Sequence, residues 1–153
     1  MAKMFSTAIA ILWGVVIIGF TLQEGSQSSE LSQGVTRLLF NHLTNYAIFS
    51  RYFDFPLFHT TVRALAHVMN YFIFGVLTTN ALKYHKELNF YSLFGLIIFG
   101  ALFGFMDENL QRLVPGRGFA WLDVFLDSIG FIMGVYFYYL SYLFVNLFKN
   151  RNV

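Results

Sequence analysis

The chain has 153 residues, of which 57% are hydrophobic and only 12% are charged. A soluble domain carries about 25% charged residues, so this composition excludes an ordinary soluble protein, and an aromatic content of 20% excludes a disordered one. The net charge of +2 gives no indication of nucleic-acid binding, and the lack of cysteine excludes disulfides and thiolate chemistry. We therefore predict a single integral membrane domain over residues 1–153.

Four apolar runs approach the length of about 17–25 residues that an α-helix needs to cross a bilayer. They cover residues 4–22, 65–82, 90–106 and 122–148. The first run is long for the apolar core of a signal peptide and no A-x-A cleavage pattern follows it, so we expect an uncleaved helix. The predicted fold is an all-α, polytopic membrane helix bundle with about four transmembrane helices.

A long loop separates the first two apolar runs. Residues 23–33 are polar and rich in serine and glutamine, whereas residues 34–52 place apolar side chains at helical spacing on one side. The side chains on that face are Val35, Leu38, Leu39, His42, Leu43, Tyr46 and Phe49. The pattern predicts an interfacial helix in this first loop. A loop of this length is often functional, but it also fits a simple cover over the bundle mouth, and both interpretations stay open.

Small residues recur at four-residue spacing in the last two runs, as Gly100 with Gly104 and Gly130 with Gly134. This spacing lets two helices approach closely in lipid. We favour packing within the chain over a dimer interface, and we make no prediction of the oligomeric state.

Four spans place both termini on the same side of the membrane. Lysine and arginine are tied at five on each side, but the side of the termini carries every lysine, in short segments beside the spans. The opposite arginines lie partly in the long loop, where charge has less influence on orientation. We therefore expect cytoplasmic termini and an outward-facing turn between the last two spans.

Polar residues concentrate at that outer turn. Glu108 and Gln111 share one helix face, as do Asp123 and Asp127, and Pro115-Gly116 supplies the turn between the two helices. Ionisable residues at the edge of a span are expensive, and they usually face a partner or a water-filled cavity. The charged residues of this stretch are Asp107, Glu108, Arg112, Arg117, Asp123 and Asp127.

A second polar stripe opens the second run, where Arg63, His67 and Tyr71 recur every four residues. If it faces the turn, Arg63 pairs with Asp123, and a basic residue, an imidazole and several carboxylates share one pocket. The candidate catalytic residues are Glu108, His67 and Asp123. The candidate ligand-binding residues are Arg63, Gln111, Arg117, Asp107, Asp127 and Tyr71.

Each candidate also has a structural interpretation. Glu108 could form an ion pair with Arg117 or Arg63 that locks the helix ends together. His67 could be a core histidine, and Asp127 could form an interhelical hydrogen bond. We favour a functional pocket for the set as a whole, because a small bundle does not need so many charges at one depth.

Metal binding is a further possibility for this cluster. The residues that offer nitrogen or oxygen donors are His67, Asp107, Glu108, Asp123 and Asp127. No H-E-x-x-H spacing occurs, and we predict no metal and no other cofactor. Two neighbouring arginines instead suit a phosphate or carboxylate group.

These motifs resemble those of VanZ-like membrane proteins. The stretch similar to the family's hallmark is Asp107-Glu108-x-x-Gln111-x-x-x-Pro115-Gly116-Arg117, followed by Asp123, Asp127 and Gly130. The stretch similar to its second motif is Arg63-x-x-x-His67-x-x-x-Tyr71. A serine-rich stretch after the first span is also similar and comprises Ser26, Ser28, Ser29 and Ser32. The resemblance implies a bacterial or archaeal cytoplasmic-membrane protein with about four spans. Leu110 stands where many relatives have histidine, which further weakens the metal interpretation. The member that gives the family its name is linked to reduced susceptibility to glycopeptides such as teicoplanin.

Three functions are compatible with this sequence. The leading one is a VanZ-like protein whose outward pocket binds or acts on an anionic envelope lipid or cell-wall precursor, with Arg63 and Arg117 holding the anion. The second is a membrane hydrolase or transferase acting on a phospholipid or polyprenyl phosphate, with His67 or Glu108 as acid or base. The third is a structural or assembly subunit. The expected partners are membrane lipids and no nucleic acid.

Overall fold

The structure, a computed structural model, describes residues 1–45, 52 and 54–149. This part of the chain forms helices and no strands. The helices are α1 (Ala2–Thr21), α2 (Gly25–Leu43), α3 (Phe55–Lys83), α4 (Phe90–Gln111) and α5 (Trp121–Lys149). Of these, α1, α3, α4 and α5 are long and apolar enough to cross a membrane. The predicted all-α class and the four spans are confirmed, and the protein is a multi-pass membrane protein.

At the end of the bundle opposite Met1, helices α3 and α4 extend beyond the predicted spans. Helix α3 begins at Phe55 rather than near residue 65, because the Asp54 side chain caps it by accepting a hydrogen bond from the Leu57 N–H at 2.9 Å. Helix α4 continues past residue 106 to Gln111, with Glu108 and Gln111 buried. Hydropathy alone therefore predicted the start of α3 too late and the end of α4 too early. A polar side chain that caps a helix or faces the interior lowers the hydropathy but does not interrupt the helix.

Helix α2 differs from the predicted interfacial helix in its position. It begins at Gly25 and includes the serine-rich stretch, which the sequence placed before the helix. The start of the helix is fixed by a tertiary contact: the Gly25 N–H donates to the Pro115 carbonyl at 3.1 Å. The backbones are so close here that a Cβ at Gly25 would lie 2.3 Å from the Gly116 oxygen. Thus α2 starts against the α4–α5 turn, where Gly116 takes a φ of +74°. The predicted positions Tyr46 and Phe49 lie outside the described residues.

Helices α3 and α5 form the most extensive contact of the bundle, and glycines allow their backbones to approach closely. A Cβ at Gly130 would lie 2.3 Å from the Val68 carbonyl oxygen, and one at Gly134 would lie 2.1 Å from the Phe72 oxygen. On the facing helix, a Cβ at Gly75 would lie 2.3 Å from the backbone of α5. These glycines therefore serve packing within the chain, as expected, and they bring the polar residues of α3 and α5 within reach of each other.

An aromatic core lies beneath the polar end of the bundle. Phe74 is in ring contact with Phe103 at 4.9 Å and with Phe131 at 5.5 Å between centroids. Tyr71 meets Phe74 edge-on at 6.4 Å, one turn closer to the polar end. Its ring therefore belongs to the core while its hydroxyl reaches the polar cluster.

Candidate functional site

A cavity of about 330 Å³ opens at the end of the bundle opposite the termini, between α1, α2, α3 and the α4–α5 turn. The apolar lining comes from α1, α2 and α3 and consists of Ile17, Phe20, Leu31, Val35, Val62 and Ala66. The polar lining consists of Gln23, Ser28, Ser29, Ser32, Arg63, His67, Asn70, Tyr71, Asp107, Gln111 and Arg117.

Arg117 reaches the cavity from the α4–α5 turn. Its Nη1 donates to the carbonyl oxygens of Phe20 at 2.9 Å and Thr21 at 3.3 Å, so it caps the last turn of α1. Burial, and then the positive charge of nearby Arg63, lower the pKa of the Arg117 guanidinium. The group stays charged, since arginine is not deprotonated in proteins. Two mutually repelling cations therefore line one cavity.

Asp107 lies at the inner edge of the cavity and joins three helices. It accepts hydrogen bonds from the Thr21 hydroxyl of α1 and, at 3.1 Å, from the Tyr71 hydroxyl of α3. All three side chains are buried. Asp107 therefore fixes the C-terminal end of α1 against α3 and α4, and it holds the hydroxyl of Tyr71.

Glu108 lies behind the cavity and holds the turn between α4 and α5. Its carboxylate accepts hydrogen bonds from the Gln111 side-chain amide and, at 3.1 Å, from the Ala120 N–H. Within the described residues it forms no ion pair with Arg63 or Arg117. The ion-pair interpretation of Glu108 is therefore wrong, because neutral donors of its own hairpin surround the carboxylate.

His67 connects α3 to α5. Its Nδ1 lies 3.0 Å from Asp127 Oδ1, and its Nε2 lies 3.8 Å from Asp123 Oδ2. The Arg63 Nη2 also lies 3.8 Å from Asp123 Oδ2, so the structure brings together the pair expected from the sequence. The Arg63 side chain is 52% exposed, whereas Asp127 is fully buried. The expected interhelical hydrogen bond of Asp127 is thus present, with His67 as its partner.

The nine candidate residues form one constellation with two layers. Those that line the cavity are Arg63, His67, Tyr71, Asp107, Gln111 and Arg117, and those behind it are Glu108, Asp123 and Asp127. Across the two layers, His67, Glu108 and Asp127 each offer a donor atom, and these atoms lie within 4.8 Å of one another. Linear spacing does not reveal this group, because its members come from α3, α4 and α5.

Several polar groups at the site were not among the candidates. Thr21 holds Asp107, Asn70 lines the cavity, and Ser32 Oγ lies 3.0 Å from His59 Nε2, which ties α2 to α3. Two sequence signals concern part of this group: Asn70 lies beside the stripe of Arg63, His67 and Tyr71, and Ser32 belongs to the serine-rich stretch, whose serines are spaced to share a helix face once the stretch is taken as helical. Nothing in the sequence singles out Thr21 at the end of an apolar run.

No curated protein and no solved structure matches this chain. A family model described as VanZ/LLP1 matches residues 6–144, which include every residue of the site. The chain therefore belongs to the VanZ-like family of membrane proteins.

Proposed function

We propose that this VanZ-like protein binds the anionic head group of an envelope lipid or lipid-linked cell-wall precursor in its outer cavity. The observation that carries the proposal is the placement of Arg63 and Arg117 on one cavity of about 330 Å³. Guanidinium groups recognise phosphate and carboxylate with paired hydrogen bonds. An anion between the two arginines would also offset their mutual repulsion.

The rest of the lining fits a lipid better than a small soluble anion. Ser28, Ser29 and Ser32 add hydroxyl groups to the cavity that the two arginines line. Phe20 and Leu31 belong to the apolar lining of the cavity, and these residues are 45% and 59% exposed. In a membrane protein, such an apolar lining suits an acyl or polyprenyl chain, while the polar lining suits its head group.

The proposal includes the orientation expected from the sequence. The cavity lies at the end of the bundle that carries Arg63 and Arg117, whereas the lysines lie near the other end. With cytoplasmic termini in the inner membrane of a bacterium or archaeon, the cavity faces outward, where envelope lipids and precursors are exposed. A change in teicoplanin susceptibility on deletion would follow if the ligand is a cell-wall precursor.

Native mass spectrometry of the detergent-purified protein tests the proposal, with phosphatidylglycerol, phosphatidylcholine and a polyprenyl phosphate as probes. We expect retention of an anionic lipid in preference to phosphatidylcholine. Arg63→Gln and Arg117→Gln should weaken that retention about tenfold to a hundredfold, because a hydrogen bond to a charged group contributes about 1.5–3 kcal/mol. Arg112→Gln is the matched control, since Arg112 lies in the same turn, is exposed and does not line the cavity.

The binding proposal fails if the wild type retains both kinds of lipid equally, or if Arg112→Gln reduces retention as much as the cavity variants do. Because Arg117 also caps α1, its variant is compared with wild type by thermal melting. Arg63→Gln, whose side chain is half exposed, provides the comparison least affected by stability.

A second candidate function is a hydrolase or transferase acting on the lipid bound in the cavity. The observation that favours it is the His67–Asp127 hydrogen bond of 3.0 Å, because a buried carboxylate that orients an imidazole beside a cavity is a common acid–base arrangement. Glu108→Gln separates this function from a purely structural one. An enzyme should lose turnover of a phospholipid or polyprenyl phosphate while keeping its melting temperature, whereas a structural lock should lose stability.

A further inference from the structure

We propose that His67, Glu108 and Asp127 bind one divalent first-row transition-metal ion behind the cavity. The site goes beyond the proposed lipid binding: Glu108 and Asp127 do not line the cavity, and the metal ligands do not include Arg63 or Arg117. The inference also revises the expectation from the sequence, which offered no ligand spacing.

Geometry gives the first argument. One donor atom from each of the three side chains lies within 4.8 Å of the other two, and His67 Nδ1 and Asp127 Oδ1 are already 3.0 Å apart. Ligand atoms about 2.0–2.1 Å from a tetrahedral metal lie about 3.3 Å from each other. Small side-chain rotations therefore suffice to close the set around an ion, with the metal replacing the proton shared by His67 and Asp127.

An unsatisfied buried atom gives the second, independent argument. Asp127 is fully buried, and its Oδ2 has no hydrogen-bond partner in the described part of the chain. This atom faces α4, since it would lie 3.8 Å from a Cβ placed at Gly104, one turn before Glu108. Buried acceptors are almost always satisfied, and an unsatisfied carboxylate oxygen on the side of α4, the helix that carries Glu108, is suited to a metal ligand.

Charge gives the third argument. Glu108 and Asp127 are both 0% exposed, and no lysine or arginine among the described residues forms an ion pair with either of them. A buried carboxylate without a counter-charge is strongly unfavourable. One imidazole does not balance two carboxylates, whereas a divalent cation does.

The donor set indicates which cations fit. Calcium prefers six to eight oxygen ligands, and magnesium keeps most of its water, so neither is suited to an imidazole with two carboxylates. The chain has no cysteine, which leaves no thiolate for soft ions. One nitrogen and two oxygens suit zinc, manganese or ferrous iron, with the remaining positions open to water.

The neighbours of Glu108 act as an outer shell for this site. The Gln111 amide donates to one carboxylate oxygen and the Ala120 N–H to the other, so the group is held toward α5 while each oxygen keeps a free lone pair. Ligating carboxylates are typically oriented by hydrogen bonds of this kind.

Cobalt titration of the full-length protein in detergent tests the site, after removal of any affinity tag and of bound metal by chelation. We expect one Co²⁺ per chain, with visible absorption typical of nitrogen and oxygen ligands, and displacement of Co²⁺ by Zn²⁺. Glu108→Gln and Asp127→Asn should weaken binding at least tenfold. Glu87→Gln, a carboxylate exposed at the other end of the bundle, should bind like wild type.

The inference is overturned if wild type binds no Co²⁺ that Zn²⁺ displaces, or if the Glu108 and Asp127 variants bind as tightly as Glu87→Gln. If Asp127→Asn does not fold, His67→Gln replaces it; an unchanged Co²⁺ spectrum in that variant refutes the site, because the only nitrogen ligand has been removed. Arg117→Gln separates this result from the lipid proposal, since it should lose lipid and keep Co²⁺.

Discussion

Replacing Gly130 by alanine should loosen the bundle at the point where the polar site is assembled. A Cβ at this position would lie 2.3 Å from the Val68 carbonyl oxygen, whereas ordinary contacts begin at 3.4 Å. Because the contact is with a backbone atom of α3, no side-chain rotation can relieve it. Helix α5 therefore has to move away from α3 by about an ångström. Asp127 lies one turn before Gly130 and His67 lies next to Val68, so their 3.0 Å hydrogen bond should stretch beyond bonding distance.

The free energy of unfolding should fall by about 1.5–5 kcal/mol. Overpacking costs about 1–3 kcal/mol, and loss of a hydrogen bond to a charged group costs about 1.5–3 kcal/mol. The higher helix propensity of alanine offsets about 1 kcal/mol of this loss in stability. The melting temperature should therefore drop by roughly 5–15 °C for a chain of this size.

The assay is a thermal melt followed by tryptophan fluorescence in detergent. The matched control is Gly95→Ala in α4, where none of the described residues comes within 4 Å of the added Cβ, and that variant should melt at or slightly above the wild-type temperature. Equal melting temperatures for the two variants would refute the argument that the α3–α5 approach depends on bare backbone.

Two further substitutions test other contacts. Tyr71→Phe removes one hydrogen bond to buried Asp107 but keeps the ring in the core, so the free energy of unfolding should fall by about 1–3 kcal/mol. Tyr91→Phe, at an exposed position, should leave the melting temperature unchanged. Equal melting temperatures for the two variants would contradict a stabilising role of the Tyr71 hydroxyl. Asp54→Ala removes the cap of α3, which should cost about 1 kcal/mol and increase hydrogen exchange in the first turn after Phe55. Unchanged exchange there would show that the cap does not hold this end.

The sequence predicts the helices well where apolar character alone decides. Helix α5 spans Trp121–Lys149 against an expected 122–148, because its ends coincide with a change in hydropathy. Helix α2 was placed too late, because its start is fixed by backbone contact between Gly25 and Pro115, residues far apart in the chain. Local propensity carries no information about such a contact.

For the site, too, the sequence predicts what depends on local periodicity but not what depends on contacts between helices. The stripe of Arg63 and His67 and the spacing of Asp123 and Asp127 are helical periodicities, so the sequence places these residues on faces that can meet, and they do meet. Their individual partners depend on the distance between helices and the rotation of each helix. That is why the ion pair considered for Glu108 with Arg63 or Arg117 does not form, although the spacing of Glu108 and Gln111 correctly placed these two side chains together.

Because the polar site draws on helices that are synthesised at different times, its assembly has an order. Asp107 meets donors from α1 and α3 that are already made, whereas His67 has to wait for Asp127 in α5. Glu108 likewise lacks its Ala120 donor until the turn is complete. The last helix therefore completes the site: until α5 is in place, His67 and Glu108 lack hydrogen bonds that they have in the finished bundle, and unpaired polar groups are costly in a membrane.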